Sequence, residues 1–463
     1  MAIKADLTSR DRRFLDMSLN APMWKVILYI GTPLALYQGL AAIFTILDTL
    51  MASHISKESV SAVAYLAQIN LLLSSVGGGL AVGAGIQISR AYGEGDFLLV
   101  RQRVSSLYAL SLTLGLLILA AILPFTESFL RLAGTPDELI AVGREYFTIQ
   151  LFVMVVNFLN SVYISVERAR GNARRIFILN IAMILVKLGL TAYFVYVLES
   201  GLNMIAVASL VSELTMFVFA VRYSLFGDNA FSFSPKAVSF NRRVTTPMVR
   251  QSLPVIAEKA LFAFGKTIVN SMCTLYGPLM VGAMGVSNNL GGITTNPQNG
   301  YEQGSASIIS QNFGAGRFRR VLEAFYVTAA INMLIGAVIS GLELWQLDFL
   351  SGLFDGGSED FRRMIAMVYR YEALGAVPLG FNAAVMALLY GLGKTQLTLV
   401  LNFSRVFIFR IPVFWFLQHC TEVGEKSVGI VMMVSNVSVA VAAGLAAVFV
   451  IRRFKREFPV SSS

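Results

Sequence analysis

The chain has 463 residues, 56% of them hydrophobic and 14% charged, with a formal net charge of +10 and a mean hydropathy of +0.67. A soluble domain carries about 25% charged residues, so this much apolar side chain excludes a soluble protein and predicts an integral membrane protein. Two cysteines (Cys273, Cys420) and two histidines (His54, His419, both expected in loops) give no disulfide framework and no zinc site, so neither a metal nor a cofactor is expected.

From the amino end, the polar start up to Phe14 has no apolar run or cleavage site and does not read as a signal peptide. Six apolar segments follow, at roughly 26–47, 60–82, 104–124, 145–167, 177–198 and 203–221. A polar stretch at about 222–252 comes next, and then six more segments at roughly 254–276, 280–304, 321–344, 364–390, 397–418 and 428–450. The expected fold is an all-α integral membrane protein of twelve transmembrane helices in two pseudo-symmetric six-helix lobes around a central cavity. The lobes are expected at 1–221 and 253–463, with 222–252 as a cytoplasmic linker.

Arginine and lysine alternate by loop. One side of the membrane holds clusters such as Arg10, Arg12 and Arg13, Arg168 to Arg175, and Arg452 to Arg456. The other has mainly Lys57, Arg131, Arg362, Arg363 and Lys426, diluted by acids. The positive-inside rule then predicts a multi-pass protein of the plasma (inner) membrane with both termini cytoplasmic. The positive charge is topological, so no nucleic-acid partner is expected.

The chain repeats itself. Gly79 to Val100 recurs as Gly300 to Val321, so that Gly79, Gly83, Ile88, Ser89, Gly93, Gly95, Phe97 and Val100 meet Gly300, Gly304, Ile309, Ser310, Gly314, Gly316, Phe318 and Val321. Pro33 meets Pro254 at the same spacing, and Gly171 and Asn180 meet Gly393 and Asn402 one residue further on. Halves of six spans each enter the membrane in the same direction, as in parallel-repeat transporters. The Gly-x-x-x-Gly pairs predict close helix packing. Gly93-Glu94-Gly95-Asp96 imitates an intramembrane aspartyl protease motif, but its copy is Gly314-Ala315-Gly316-Arg317, so both are expected to be tight turns. Gly391-Leu392-Gly393-Lys394-Thr395 lacks the first glycine of a nucleotide-binding loop, with Leu388 in its place. With no histidine cluster and no complete nucleotide loop, no enzyme is expected.

In this order the doubled elements resemble the multidrug and toxic compound extrusion (MATE) transporters. The resemblance rests on Pro33 with Leu47-Asp48-Thr49-Leu50-Met51, Ser89 to Asp96, Leu253-Pro254, Gln311 to Gly316, and Arg405 with Arg410-Ile411-Pro412. It covers about residues 20–455, and the Arg-Ile-Pro element looks more like the DinF-like branch of this flippase superfamily than the sodium-driven branch. The resemblance implies two lobes around a V-shaped cavity and export driven by a proton or sodium gradient.

Charges inside the spans mark candidate sites, because a charge at the bilayer centre costs about 2.5–3.5 kcal/mol and needs a partner or a wet cavity. Asp48, Lys187 and Thr191 occupy the places where the family carries its amino-lobe cation site. Lysine there brings its own charge, so sodium is not expected in the usual way and a proton is favoured as coupling ion. Asp48–Lys187 reads equally as a structural buried pair. Lys266, Arg405, Arg410, Glu258, Asn180 and Tyr37 are candidates for the substrate cavity, and its excess of cations suits anionic or zwitterionic compounds. The resulting expectation is a monomeric secondary exporter of a small molecule by proton-coupled antiport with alternating access. The alternatives are a flippase for an anionic lipid-linked saccharide and a sodium-coupled multidrug antiporter.

Overall fold

Long apolar runs without a nearby water-facing edge satisfy their backbone groups only as helices, and glycine and proline mark where each run stops. The computed structural model describes residues 6–52, 57–227, 229–354 and 357–458, and the side chains of 45–50 and 52–64 also lie outside the described residues. Among the described residues there is no strand. In chain order the helices are α1 (Ser9–Asn20), α2 (Met23–Ala52), α3 (Lys57–Glu94), α4 (Phe97–Ile122), α5 (Thr126–Leu132), α6 (Asp137–Ala169), α7 (Ala173–Ala192) and α8 (Leu202–Leu225). They continue as α9 (Arg242–Cys273), α10 (Pro278–Gly314), α11 (Phe318–Trp345), α12 (Leu347–Gly352), α13 (Glu359–Leu374), α14 (Ala376–Gly391), α15 (Thr395–Phe403), α16 (Ile411–Cys420) and α17 (Lys426–Glu457).

Each of the twelve expected spans falls on one long helical segment. Among the described residues nine segments are apolar enough to cross a membrane, and α13 with α14 makes a tenth, bent by 47°. The bend follows from Gly375 and from Pro378, whose missing N–H leaves a carbonyl of the preceding turn unpaired. The other two, α9 and α10, are 32 and 37 residues long but polar. Helix α9 carries Glu258, Lys259 and Lys266, and α10 carries Asn288-Asn289 and Thr294 to Asn299. His54 lies outside the described residues. His419, expected in a loop, is in the last turn of α16, where its ring stacks on Trp415 at 4.9 Å and Nδ1 bonds the Trp415 carbonyl at 2.9 Å.

The repeat is visible in the turns. Gly95 and Gly316 have φ of 77° and 71°, the left-handed region that only glycine enters freely. Their amides bond the carbonyls of Tyr92 and Phe313, and the next amides, Asp96 and Arg317, reach back to Ala91 and Asn312. This is the same helix-ending motif twice. Gly171 (φ 78°) and Gly393 (φ 73°) form a second matched pair, with Asn172 bonding Glu167 and Lys394 bonding Leu389.

By contacts the chain divides into unit 1, Met1–Met17 with Ile43–Ala260, and unit 2, Ser18–Ala42 with Leu261–Ser463. These differ from the expected lobes at two places: residues 18–42 fall in unit 2, and 222–260 in unit 1. The glycine pairs give the reason. Within unit 1, a Cβ on Gly79 would lie 2.8 Å from the Ile256 backbone, and one on Gly83 would lie 2.5 Å from Ser252 Cα, so α3 packs directly on the first part of α9. Within unit 2, a Cβ on Gly300 would lie 2.5 Å from the Ala35 amide, so α10 packs on the first part of α2. Small residues permit this backbone approach, as the sequence predicted. Helices α2 and α9 therefore each begin in one unit and end in the other.

The polar segment expected as a linker is built into unit 1. Phe231 and Ala237 are buried, the Ser239 carbonyl accepts from the Ser106 hydroxyl at 2.9 Å, and the Ser239 amide donates to that same oxygen at 2.9 Å. Nearby, Arg170 binds Asp11 of α1 with both ends of its guanidinium, at 3.0 and 2.9 Å, and also reaches Glu167 at 3.3 Å.

Candidate functional site

Unit 1 holds a polar cluster in the middle of three spans. Glu213 of α8 accepts from Asn157 Nδ2 at 3.1 Å and from Asn160 Nδ2 at 2.6 Å, both on α6. Asn160 also donates to the Glu213 backbone carbonyl at 2.9 Å, which fixes the helix pair in register. Lys187 of α7 lies within electrostatic reach of the Glu213 carboxylate. Thr191, one turn along α7 from Lys187, is fully buried, and its hydroxyl has no hydrogen-bond partner among the described residues. Directly beyond it, Tyr193–Val197 is a π-helical turn, a local widening common at functional positions.

Of the expected amino-lobe set, Lys187 and Thr191 thus share one face of α7. The side chain of Asp48 lies outside the described residues. Asn180 is buried but donates to its own helix, at the Ile176 carbonyl 2.7 Å away. Glu213 was not anticipated, although an acid inside an apolar run (Val211-Ser212-Glu213-Leu214) was a readable signal. Asn157 and Asn160, its amide partners, sit on a separate span, and their neighbourhood is a tertiary fact.

Unit 2 holds a second cluster of different sign. Glu372 of α13 lies one turn before the bend at Gly375 and accepts from Ser287 Oγ of α10 at 2.5 Å. Lys266 of α9, Arg405 and Arg410 are all within its electrostatic reach. Arg405 lies in a second π-helical turn, Ser404–Ile408, with its guanidinium 5.5 Å from the Phe262 ring centre. Arg410 starts α16, is 3% exposed, and donates to Ser435 Oγ at 3.0 Å and Asn436 Oδ1 at 3.1 Å. Arg405 donates to the same Asn436 oxygen at 2.8 Å. One amide oxygen on α17 therefore organises two guanidinium groups. Glycines make the room: a Cβ on Gly291 would lie 3.0 Å from Glu372 Oε1, and one on Gly375 would lie 2.7 Å from Asn436 Cβ.

Lys266 makes no hydrogen bond or ion pair among the described residues. Its side chain is close to two arginines. The expected cavity residues Lys266, Arg405 and Arg410 are thus brought together. Tyr37 also belongs to unit 2, whereas Glu258, buried at 6% exposure, belongs to unit 1. Another acid, Glu343 of α11, is 5% exposed. Its Oε2 accepts from Thr294 Oγ1 at 2.7 Å and from the Tyr369 hydroxyl, while Oε1 has no partner among the described residues.

Among the described residues no group of histidine, cysteine or acidic side chains could hold a metal ion. Cys273 and Cys420 are both free thiols.

The MatE family model matches residues 33–193 and 254–416, two windows that begin at the paired prolines Pro33 and Pro254. The chain is 21% identical over 428 residues to the probable multidrug resistance protein YoeA of Bacillus subtilis, covering 90% of this chain and 91% of that one. It is 21% identical over 320 residues to the multidrug export protein MepA of Staphylococcus aureus, covering 68% of this chain and 71% of that one. Among solved structures, an outward-facing multidrug resistance MATE family transporter superposes with a TM-score of 0.91 at 20% identity, over 97% of this chain and 100% of that one. A transporter of the same superfamily from Pyrococcus furiosus, described as having a binding pocket of reverse polarity, superposes with a TM-score of 0.90 at 20% identity, over 98% and 99%.

Proposed function

Because the chain belongs to the MatE family of membrane transporters, we propose that it is a secondary active exporter moving small anionic or zwitterionic organic compounds out of the cytoplasm by proton-coupled antiport. The curated relatives are named for multidrug resistance and export, which supports efflux of foreign compounds as the activity. The observation that carries the substrate class is the unit 2 cluster, in which Lys266, Arg405 and Arg410 face a single carboxylate, Glu372. A cationic substrate entering there would add to an existing excess of two positive charges. A carboxylate or phosphate would relieve it, and two guanidinium groups oriented by one Asn436 oxygen are suited to grip a planar anion.

Coupling is assigned to unit 1. Glu213 has two amide donors and a nearby ammonium, so the charge that sodium would supply to the carboxylate is already present on Lys187. What remains to be exchanged is a proton. Protonating Glu213 removes its attraction for Lys187, and the freed ammonium favours a different arrangement of α7 against α6 and α8. Asp48 and Thr191 belong to the same coupling group. A proton that binds one conformation better than another shifts the population between inward-open and outward-open states by its difference in affinity. The working form is a monomer with both termini cytoplasmic, the side on which the basic loops gather.

The test is reconstitution of the full chain in liposomes with an imposed proton or sodium gradient. Transport of an anionic conjugate should follow the proton gradient and be lost in Glu213→Gln. Transport driven by sodium alone, or a clear preference for cationic dyes, overturns the reading.

A further inference from the structure

One helix of unit 2 is amphipathic although it begins a membrane span. On α13, positions 359, 362, 363, 366, 367 and 370 follow the three-and-four spacing of a single face. The opposite face is core, with Ile365, Val368 and Tyr369 buried at 1% exposure or less. The polar face lines a cavity of about 650 Å³ whose charged walls are Arg362, Arg363 and Arg370, Lys426 at the start of α17, Glu359, and Asp348 of α12. The formal sum is four positive charges against two negative. Among the described residues none of the four cations forms an ion pair or a side-chain hydrogen bond, even though two acids share the pocket.

Four cations against two acids leave an excess of like charge in the pocket, and like charges held together repel. A protein surface normally relieves this by spreading its cations or pairing them. Here the opposite is found. Arg362, Arg363 and Lys426 are three of the few cations on the side of the membrane expected to be poor in them, and all three open into one pocket. The missing partner is an anion of about two charges.

We infer that this pocket is a phosphate-binding site on the non-cytoplasmic face, separate from the Lys266, Arg405 and Arg410 cluster. Three guanidinium groups supply forked donors to phosphate oxygens and Lys426 adds a point charge. The phosphate of an anionic lipid headgroup in the outer leaflet and that of a soluble phosphate ester present the same chemistry of recognition to these groups. Occupancy would tie α13, the first half of the bent span that carries Glu372, to the start of α17, the helix that carries Asn436.

Binding is measurable without transport, so this inference stands or falls separately from the proposed export. The full chain in detergent is titrated with inorganic phosphate at constant ionic strength, and in nanodiscs the lipid is changed from phosphatidylcholine to phosphatidylglycerol, with thermal stability as the readout. A shift with phosphate in detergent identifies the soluble source; a shift with phosphatidylglycerol alone identifies the lipid. In either case Arg363→Gln with Arg370→Gln should weaken the response at least tenfold, and Arg453→Gln, outside the pocket, should leave it unchanged. Lys426→Gln, on another helix, makes the same test if the double variant does not fold. The inference is overturned if neither probe shifts stability, if sodium chloride reproduces the shift, or if the pocket variants respond like the unaltered protein.

Discussion

Glu213 of unit 1 and Glu372 of unit 2 are both carboxylates set within spans, and each accepts from a neutral side chain on a neighbouring helix. Their charged surroundings differ. Glu213 has one ammonium, Lys187, and the group is neutral; Glu372 has three cations and the group is positive by two. The repeat frame around them is the same, since the matched glycines end the same helices and seat the same pairs of spans. Duplication therefore kept the backbone contacts and let the charges diverge. A balanced pair responds strongly to one proton, whereas an unbalanced cluster waits for an anion to complete it. This difference is the physical basis for giving coupling to one unit and substrate to the other.

The comparison can be broken most sharply at Glu213 and Arg410. If unit 1 couples, substrate affinity of the unaltered protein changes with pH by roughly 5- to 150-fold, the usual range for linked sites. Glu213→Gln, which keeps the shape and cannot ionise, should reduce that pH dependence to about onefold while leaving binding at the favoured pH intact. Titrating an anionic dye at two pH values reads this directly, and an unchanged pH dependence would remove Glu213 from coupling. At unit 2 the expectation is the reverse. Arg410→Ala removes a charged donor to Ser435 and Asn436, where each such bond contributes about 1.5–3 kcal/mol. Affinity for the anion should fall by about 10- to 150-fold with the pH dependence preserved. Arg410→Lys should recover only part of this, because lysine restores the charge without the fork.

The shared frame can be tested with glycine substitutions. Gly83→Val and Gly300→Val each drive side-chain atoms into a backbone 2.5 Å from the Cβ position. Overpacking of this kind costs about 1–3 kcal/mol, so both variants should lose several degrees of thermal stability, and by similar amounts. A large difference between them would mean that the two copies no longer do the same structural work.

How much of this was readable from the sequence depends on whether the information is local. The spans, the paired turns and the close glycine contacts follow from apolar runs, glycine positions and internal comparison, and the structure reproduces them. Arg405, Arg410 and Lys266 were visible because an isolated cation in an apolar run has few explanations. Glu213 was equally isolated but escaped notice, since its amide partners lie more than fifty residues away on α6. The exchange of α2 and α9 between units was also hidden. Nothing in a single helix announces which neighbours its first half will take, and the glycines that decide it lie on α3 and α10. The two π-helical turns are likewise products of packing on residues whose own preferences are ordinary.

The smallest expected effect bears on the tetrapeptide that imitated a protease motif. Asp96 is the N-cap of α4: its Oδ1 accepts from the Leu99 amide at 3.0 Å, filling one of the donors that a helix start leaves open. Its other oxygen meets Arg243 at 3.4 Å on the surface, where such a pair contributes little. At the equivalent place before α11 stands Arg317, which makes no side-chain cap. Asp96→Ala should therefore cost about 1 kcal/mol and Arg317→Ala close to nothing, as read by thermal unfolding in detergent. Transport should survive in both. Loss of activity in Asp96→Ala without loss of stability would give the aspartate a chemical role that its geometry, pointed at a backbone amide, does not otherwise support.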